Sequence, residues 1–183
     1  MQTVSTASAV PSLETDRLWL RGHRMDDFEQ CAALWADPKV TQHILERPLT
    51  EEESWARFLR YVGHWAVFGF GYWAIVEKQT GDFAGEGGFA DYKRAIQPSL
   101  KGVPEIGWVL ASRFHGKGFA TEAVRAITAW GDAHFQTPTR CIISPDNTAS
   151  FRVAVKCGYR EILRTTYHGH ATVMFEREPE ATT

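Results

Sequence analysis

The chain has 183 residues, the length of one domain of ordinary size or slightly more. Its composition is 44% hydrophobic and 23% charged, as in globular proteins, and this excludes a fibrous or wholly disordered chain. The formal net charge of −2 argues against nucleic-acid binding as the main function.

The three cysteines are far apart in the chain, and none belongs to a CxxC motif: Cys31, Cys141 and Cys157. This number and spacing argue against a disulfide framework and against a cysteine-based zinc site. No stretch approaches the length of about 18 apolar residues that a membrane-spanning helix needs, and no signal-peptide pattern opens the chain. The sequence therefore predicts a cytoplasmic protein without a membrane partner.

The first half of the chain is predicted to begin with a flexible leader over residues 1–12, which is small, polar and without periodicity. A strand, two helices and a hairpin are predicted next, at residues 17–21, 26–37, 50–68, 72–77 and 83–89. Pro38 ends the first helix, and the capping box of Thr50 and Glu53 opens the second. The second helix has an apolar stripe that is predicted to face the core, formed by Trp55, Phe58, Leu59, Val62 and Trp65.

The second half begins with a loop over residues 91–104 whose path the sequence does not define. The strand at 105–110 alternates, so that Glu105, Gly107 and Val109 share one face, and Ile106, Trp108 and Leu110 share the other. A helix through residues 123–130, a strand, a helix and two closing strands follow, the last four at 140–144, 147–157, 159–163 and 171–176. Without repeats or linkers, the pattern predicts a single domain over 13–178 and a polar tail at 179–183.

The most informative segment is a strand followed by Gly116, Lys117 and Gly118 and then by a helix. Two glycines let the backbone approach a ligand closely, and the first turn of a helix offers unbonded N–H groups. Together they predict an anion site suited to a diphosphate, with Lys117 and Arg113 adding positive charge at its rim. A Walker A motif is absent, and the third glycine of a dinucleotide fingerprint is missing. The alternative is a plain turn from loop to helix.

The segment Arg113-x-x-Gly116-x-Gly118-Phe119-Ala120 resembles the signature of the GNAT superfamily of acetyl-CoA-dependent N-acetyltransferases. Residues 13–21 resemble the opening strand of the branch that acetylates the N-termini of ribosomal proteins. Residues 105–108 resemble its fourth strand, and Asn147-x-x-Ser150 followed by residues 156–159 resembles its last helix and next strand. These matches occur in the family's order and cover nearly the whole chain.

The resemblance implies the mixed α/β (α+β) GNAT fold, a twisted and mostly antiparallel sheet of about seven strands flanked by about four helices. It implies transfer of acetyl from acetyl-CoA to an amine, without a metal ion. By carry-over, backbone groups of Val109 and Leu110 hold the thioester and pantetheine, and Asn147 contacts the pantetheine arm. Backbone N–H groups from His115 to Ala120 hold the diphosphate.

The residue at the general-acid position differs from that of many members of the superfamily. Many members carry a tyrosine where this chain has Val155. In the ribosomal-protein branch, a serine three residues after the asparagine takes this role, which implies Ser150 here. The demand on this acid is modest, because a thiol with a pKa near 8.5 is already a tolerable leaving group at pH 7.

The general base is predicted from strand geometry. An amine must lose a proton when it attacks, usually to a carboxylate or through a water. Glu105 shares a strand face with Val109, and Gly107 between them has no side chain to block the space. This arrangement predicts Glu105 as the base, with Glu86 on the neighbouring strand as a weaker second candidate. The alternative is that Glu105 is a partly exposed glutamate in a salt bridge.

The acceptor is expected to be a peptide N-terminus or a small amino compound. Freeing an α-amine with a pKa of about 8 at pH 7 costs about 1.4 kcal/mol, against about 4–5 kcal/mol for a lysine amine. The aromatic stretch 55–73 is predicted to be core, with Phe68, Phe70 and Tyr72 as alternative candidates for an acceptor pocket. His168-Gly-His170 is predicted to be a turn rather than a metal site.

Two other interpretations stay open. One is a module of the same fold that binds acyl-CoA as a sensor without turnover, and the other is an unrelated α+β structural domain in which the glycines only turn the chain. Binding of CoA and release of free thiol distinguish the three. The chain is expected to act as a monomer or a homodimer.

Overall fold

A computed structural model describes residues 10–45 and 47–180 of the chain. In these residues it has eight strands, namely β1 Leu13–Glu14, β2 Leu18–Arg21, β3 Tyr72–Glu77, β4 Phe83–Ala90, β5 Glu105–Leu110, β6 Thr139–Ile143, β7 Arg160–Tyr167 and β8 His170–Arg177. It also has five α-helices, α1 Phe28–Ala36, α2 Pro38–Thr41, α3 Glu51–Phe68, α4 Phe119–Phe135 and α5 Thr148–Lys156.

The strands form one sheet in the order β1-β2-β3-β4-β5-β6-β8-β7, in which only β5 and β6 are parallel. The predicted mixed, mostly antiparallel fold is confirmed, with eight strands and five helices in the described residues instead of about seven and four. Strand β1 has two residues, too few to show alternation in the sequence. Helix α2 has one turn and begins at Pro38, with the Asp37 side chain accepting from the Lys39 N–H. Pro38 therefore ends one helix and starts another.

The sheet opens between β5 and β6. These strands are paired only at Glu105 and Arg140, so they diverge toward Leu110 and Ile143. On the other side of β5, the Ala111 N–H donates to the Ala84 carbonyl, which fixes the hydrogen-bond alternation of the β4–β5 ladder. By that alternation, the backbone groups of residues 105, 107 and 109 point toward β4, and those of 106, 108 and 110 point toward the opening.

Helices cover both faces of the sheet. The larger core cluster joins α4 and α5 to one face and includes Trp73, Phe89 and Ile127. A second cluster joins α1 and α3 to the other face and includes Trp35, Phe58 and Val109. Among the described residues, no helix has both the length and the apolar character needed to cross a membrane.

Helix α3 does not bury the stripe that the sequence predicts. Phe58 and Trp65 are buried, but Trp55, Leu59 and Val62 are 36 to 48% exposed. The helix instead turns Ser54, Tyr61 and His64 toward the sheet. A prediction that places the most apolar residues toward the core misses this buried face. The sheet presents the carboxylate of Glu86 to the helix, so polar side chains face it.

The ends of the domain are partly ordered by packing. Residues 1–9 of the predicted leader lie outside the described residues, but Val10 and Pro11 contact the domain. Val10 packs against the core beside Gly22, and the Trp73 indole N–H donates to the Pro11 carbonyl at 2.7 Å. These contacts tie residues 10 and 11 to the domain, and the flexible leader stays a prediction. Residues 181–183 of the predicted tail lie outside the described residues.

Candidate active site

The loop before α4 has the backbone shape that its two glycines predict. Gly116 and Gly118 have φ angles of 73° and 83°, and Gly118 is the N-cap residue of α4. The first backbone bond of the helix runs from the Glu122 N–H to the Gly118 carbonyl. In the described chain, the backbone N–H groups of residues 116–121 have no hydrogen-bond acceptor. Residues 116–121, called here the glycine loop, thus present several donors at the positive end of a helix dipole.

Arg17, from the turn between β1 and β2, holds the glycine loop in place. Its guanidinium donates to the Lys117 carbonyl at 3.0 Å, forms an ion pair with Glu122 at 2.6 Å and lies over the Phe119 ring. The sequence alone does not indicate this role, because Arg17 lies 100 positions before Lys117 in the chain and belongs to no motif with it. Arg17 brings a guanidinium close to the predicted anion site, with its charge partly balanced by Glu122.

The other predicted cation and the histidine before the loop have different partners. Arg113 donates to the Phe83 carbonyl at 3.1 Å and lies 3.8 Å from Asp82. This places it against the start of β4. His115 contacts the Leu110 carbonyl through Nε2 at 2.8 Å and so ties the loop to the end of β5.

The open edge of β5 is continuous with this loop. Leu110 directs its backbone groups toward the opening, and so does Trp108 two residues earlier. The backbone groups of Val109 face Glu86 on β4, so the structure favours Leu110 and Trp108 over Val109 for backbone contacts to an extended ligand arm. The sequence alone could not predict which residues of β5 direct their backbone groups toward the opening, because this depends on the register with β4.

Helix α5 presents its N-terminus on the far side of the opening, after β6. The Asn147 side-chain oxygen accepts from the Ser150 N–H at 3.1 Å and caps the helix. Because the cap uses the oxygen, the Asn147 amide NH₂ group is left for a ligand. Both Asn147 and Ser150 are partly exposed.

Glu105 forms an ion pair with Arg94. Its carboxylate accepts three hydrogen bonds of 2.7 to 3.0 Å from the Arg94 guanidinium, which also donates to the Tyr167 hydroxyl. The space over Gly107 is not open as the sequence suggested, since a β-carbon on Gly107 would lie 2.0 Å from the Tyr72 hydroxyl. Glu105 is 5% exposed, and burial raises its pKa while Arg94 opposes that change. The geometry is that of a buried salt bridge.

Six buried polar atoms in the described residues have no hydrogen-bond partner. They are Ser54 Oγ, Arg57 Nε, Tyr61 OH and His64 Nε2 on α3, with His23 Nε2 and Glu86 Oε2. The four α3 residues are spaced along one helix face, and the His23 ring stacks on Tyr61 at 5.3 Å. We call these six residues the polar layer. His23 Nε2 and Glu86 Oε2 face each other at 3.4 Å. An unsatisfied buried group costs about 1–3 kcal/mol, so the four atoms on α3 would together cost a large share of the net stability of a domain, which is about 5–15 kcal/mol.

Glu86 lies at the centre of this layer and is fully buried. One carboxylate oxygen accepts from the Trp35 indole N–H at 2.7 Å, and the other lies 3.4 Å from His23 Nε2. Burial alone would raise the pKa of Glu86, but His23, Tyr61 and Trp35 hold it below its ordinary value. Glu86 is therefore an ionised carboxylate at neutral pH with one oxygen free of hydrogen bonds in the described chain.

A metal ion is a chemical possibility at this point. The ligand atoms of His23, Cys31 and Glu86 lie within 4.8 Å of one another. Burial and the neighbouring charge of Glu86 raise the pKa of the Cys31 thiol, which disfavours the thiolate that a zinc ion needs. The sequence alone did not indicate this trio.

Comparison with known proteins bears on this geometry. The profile of the acetyltransferase (GNAT) domain family matches residues 17–160, most of the chain. The chain belongs to the GNAT acetyltransferase family. The YkkB protein of Bacillus subtilis (strain 168) is 32% identical over 156 residues, which are 82% of this chain and 86% of that protein.

Solved GNAT structures share the fold. A Bordetella pertussis protein described as a GNAT-family acetyltransferase is 29% identical, with a TM-score of 0.80, over 91% of this chain and 99% of that chain. RimL, a ribosomal L7/L12 α-N-protein acetyltransferase solved in complex with coenzyme A, has a TM-score of 0.73 and 19% identity. It covers 92% of this chain and 98% of its own. The predicted GNAT superfamily is confirmed.

The GNAT fold brings some predicted site residues together and separates others. The glycine loop, the open edge of β5 and the N-terminus of α5 border one opening in the sheet. Glu86 and Glu105 lie on the sheet face that Val109 shares, which α1 and α3 cover, because directly paired residues such as Glu86 with Val109 and Ala90 with Glu105 share a face. Glu86 is the one of the two that lies beside Tyr61 of α3. The GNAT domain thus has a side rich in backbone donors and a side rich in buried side-chain charges.

Proposed function

We propose that this acetyltransferase uses acetyl-CoA as the donor and transfers the acetyl group directly to a primary amine. The observation that carries the proposal is the glycine loop at the start of α4, continuous with the open edge of β5. Backbone N–H groups clustered at a helix N-terminus suit a diphosphate. The CoA bound to RimL, which shares the fold, supports the same donor here.

The donor's contacts follow from this arrangement. The diphosphate is bound by the N–H groups of residues 116–121, with Lys117 and Arg17 supplying positive charge. The pantetheine arm lies along the β5 edge and bonds to the backbone of Leu110 and Trp108. The Asn147 NH₂ group donates to the same arm from the other side of the opening. No metal takes part in this proposal.

The proposed reaction removes a proton from the amine and delivers a proton to the departing sulfur. The amine nitrogen forms a bond to the thioester carbonyl carbon, and the carbon–sulfur bond breaks. The proton that leaves the nitrogen goes to a carboxylate on the α3 side, where Glu105 and Glu86 are the two candidates. The departing sulfur takes a proton from the Ser150 hydroxyl or leaves as a thiolate, which is tolerable at neutral pH.

The acceptor proposed is a peptide N-terminal α-amine or a small amino compound. An α-amine is easier to deprotonate than a lysine side chain by about 3 kcal/mol at pH 7, and the site has no tyrosine at position 155 to assist. The neighbour RimL is described as an α-N-protein acetyltransferase, which supports this class and the ribosomal-protein branch.

The first test is binding of acetyl-CoA without added metal. At a concentration of 100 times Kd the stabilisation is about 2.7 kcal/mol, which raises the melting temperature by several degrees in a chain of this length. Release of free thiol with a panel of amines then separates an enzyme from a sensor that only binds. An unchanged melting curve at millimolar acetyl-CoA would exclude the proposed donor.

A further inference from the structure

The polar layer is a group of side chains that the proposed donor site does not use. Ser54, Arg57 and Tyr61 place donors along about two turns of α3, and Glu86 faces them from β4. His64 Nε2 adds an acceptor one turn further along, because the Nδ1 atom of the same ring donates to the Arg60 carbonyl. Apart from this Nδ1 atom, none of these polar atoms has a hydrogen-bond partner in the described chain. Buried polar groups in native proteins are almost always bonded, so a concentration of exceptions marks a place where another molecule supplies the partner.

The layer has one charged acceptor, Glu86, and several donors. Glu86 Oε2 forms no hydrogen bond in the described chain, and beside its ion-pair contact with His23 Nε2 at 3.4 Å it keeps a lone pair for a further donor. The Arg57 guanidinium lies over the Trp35 ring at 3.9 Å and forms no ion pair with any acid of the described residues. Burial raises the pKa of the Tyr61 hydroxyl, so it remains a donor. A matching ligand has an N–H group for Glu86 and an oxygen for Arg57 and Tyr61.

The layer reaches the β5 strand directly. Glu86 is paired with Val109, and the Tyr61 ring stacks on Tyr72 at 4.6 Å. The Tyr72 hydroxyl lies over Gly107, next to the residues whose backbone faces the opening. A group bound beside Glu86 is therefore close to the part of β5 where the proposed acetyl donor lies.

We propose that the polar layer is the acceptor site, that it takes α-amino carbonyl compounds, and that Glu86 receives the amine proton. The amine N–H donates to Glu86 Oε2, and the carbonyl or carboxylate oxygen beside the amine accepts from Arg57 and Tyr61. His23 is a positioning residue that holds the Glu86 carboxylate. The acceptor enters past Tyr92, which is partly exposed and lies against His64 at the outer end of the layer.

This inference rests on the proposed function and chooses between its two candidate bases. Glu105 gives both oxygens to Arg94, whereas Glu86 has one oxygen without a hydrogen bond. A general base needs a free lone pair directed at the proton. The α3 residues around Glu86 also supply the donors that an acceptor's oxygen needs.

The variant Tyr61→Phe gives opposite results under the two interpretations. It removes one hydroxyl and keeps the ring stack. If the layer binds the acceptor, KM for the amine rises about tenfold, while the KM for acetyl-CoA is unchanged. If the layer is a dry core, loss of an unpaired hydroxyl leaves KM unchanged and raises the melting temperature. The matched control is Tyr159→Phe, whose hydroxyl is bonded to Thr139, and which lowers the melting temperature without changing KM.

The substrate class is tested with two probes of similar shape, alaninamide and isopropylamine, which has no carbonyl. Rates are compared per concentration of neutral amine, because the two amines have different pKa values. Alaninamide is expected to show at least a tenfold higher kcat/KM, and Arg57→Met to reduce that preference. Equal values for the two probes, or no turnover of alaninamide or trialanine by a chain that binds acetyl-CoA, would overturn the proposal.

Glu86→Gln tests the base, with an expected fall in kcat of about 10²- to 10⁴-fold and an unchanged melting shift with acetyl-CoA. Because this buried variant could fail to fold, Ser54→Ala and Tyr61→Phe carry the proposal independently through KM. One zinc ion per purified chain, lost in His23→Gln, would assign the layer to a metal and overturn the proposal. If acetyl-CoA does not bind the parent chain, the proposed function itself fails, and this inference fails with it.

Discussion

The glycine loop and the polar layer are built in different ways. The glycine loop is six consecutive residues whose proposed ligand-binding groups are backbone N–H donors, and its shape depends on two φ angles near +80°. The polar layer draws side chains from the segment before α1, from α3 and from β4, which span residues 23–86. A backbone site is therefore local in sequence, whereas a side-chain site exists only after the sheet and helices have packed.

This difference also sets what each region tolerates. The glycine loop is sensitive to an added β-carbon, because both its backbone conformation and its close approach to a ligand depend on glycine. The polar layer is sensitive to the loss of single polar atoms and tolerates changes that keep ring stacking. Substitutions that affect donor and acceptor separately can test whether the two regions are independent.

The largest effect is expected for Gly118→Val. A β-branched side chain at φ 83° is strained, and its β-carbon would lie 3.4 Å from the Arg17 guanidinium that holds the glycine loop in place. We expect acetyl-CoA to bind at least 100-fold more weakly, measured by calorimetry, with a loss of stability of about 1–2 kcal/mol from the strain.

The control for this variant is Gly169→Val, in the turn between β7 and β8. Gly169 has nearly the same φ, 81°, and nothing lies within 4 Å of its β-carbon position. It should lose similar stability and bind acetyl-CoA normally. Equal binding by the Gly118 variant and the parent would show that the glycine loop does not hold the donor.

The next effect concerns Glu105→Gln and is expected in stability rather than in rate. The change leaves the Arg94 charge without its carboxylate, and because Arg94 is partly exposed we expect a loss of about 2 kcal/mol. The melting temperature falls by about 4–8 °C, and kcat stays within threefold.

Arg94→Met is the partner variant. If the pair is structural, the double variant is less destabilised than the sum of the two single variants. A 100-fold fall in kcat for Glu105→Gln at an unchanged melting temperature would instead make Glu105 the base and contradict the choice of Glu86.

The sequence predicts the fold where patterns are local. The bounds of β3 and β5 agree with the predicted 72–77 and 105–110, because an apolar run and an alternating run are each complete within six residues. The glycine loop is predicted for the same reason. Strand β1 was missed because it has two residues, and its pairing with β2 supplies the only evidence for it.

What the sequence could not predict depends on partners distant in the chain. The Glu105 prediction uses the correct strand face, but Arg94, from a loop without pattern, occupies the carboxylate. The α3 prediction counts apolar residues and so selects the exposed Leu59 over the buried Tyr61. The pairing of Glu86 with Val109 fixes which backbone groups of β5 are free, and register is not a property of one strand.

Ser150→Ala tests the proposed acid on the donor side. The Ser150 N–H still bonds to Asn147, so the helix cap and the melting temperature are preserved. We expect kcat to fall about tenfold at neutral pH, a modest effect because the thiol is a tolerable leaving group. Thr148→Ala, an exposed change in the same helical turn, is the control and should leave kcat unchanged. A rate equal to that of the parent would mean that the thiolate leaves without help from Ser150.

The smallest effect is expected for Asn147→Asp, which separates the two functions of this side chain. Aspartate caps a helix as well as asparagine does and interacts favourably with the helix dipole, so the melting temperature stays equal or rises. The NH₂ donor proposed for the pantetheine arm is lost, so Kd for acetyl-CoA should rise about three- to tenfold. Asn147→Ala removes both functions and should also lose about 1 kcal/mol of stability. If Asn147→Asp binds acetyl-CoA like the parent while Asn147→Ala is only less stable, Asn147 is a helix cap and makes no contact with the donor.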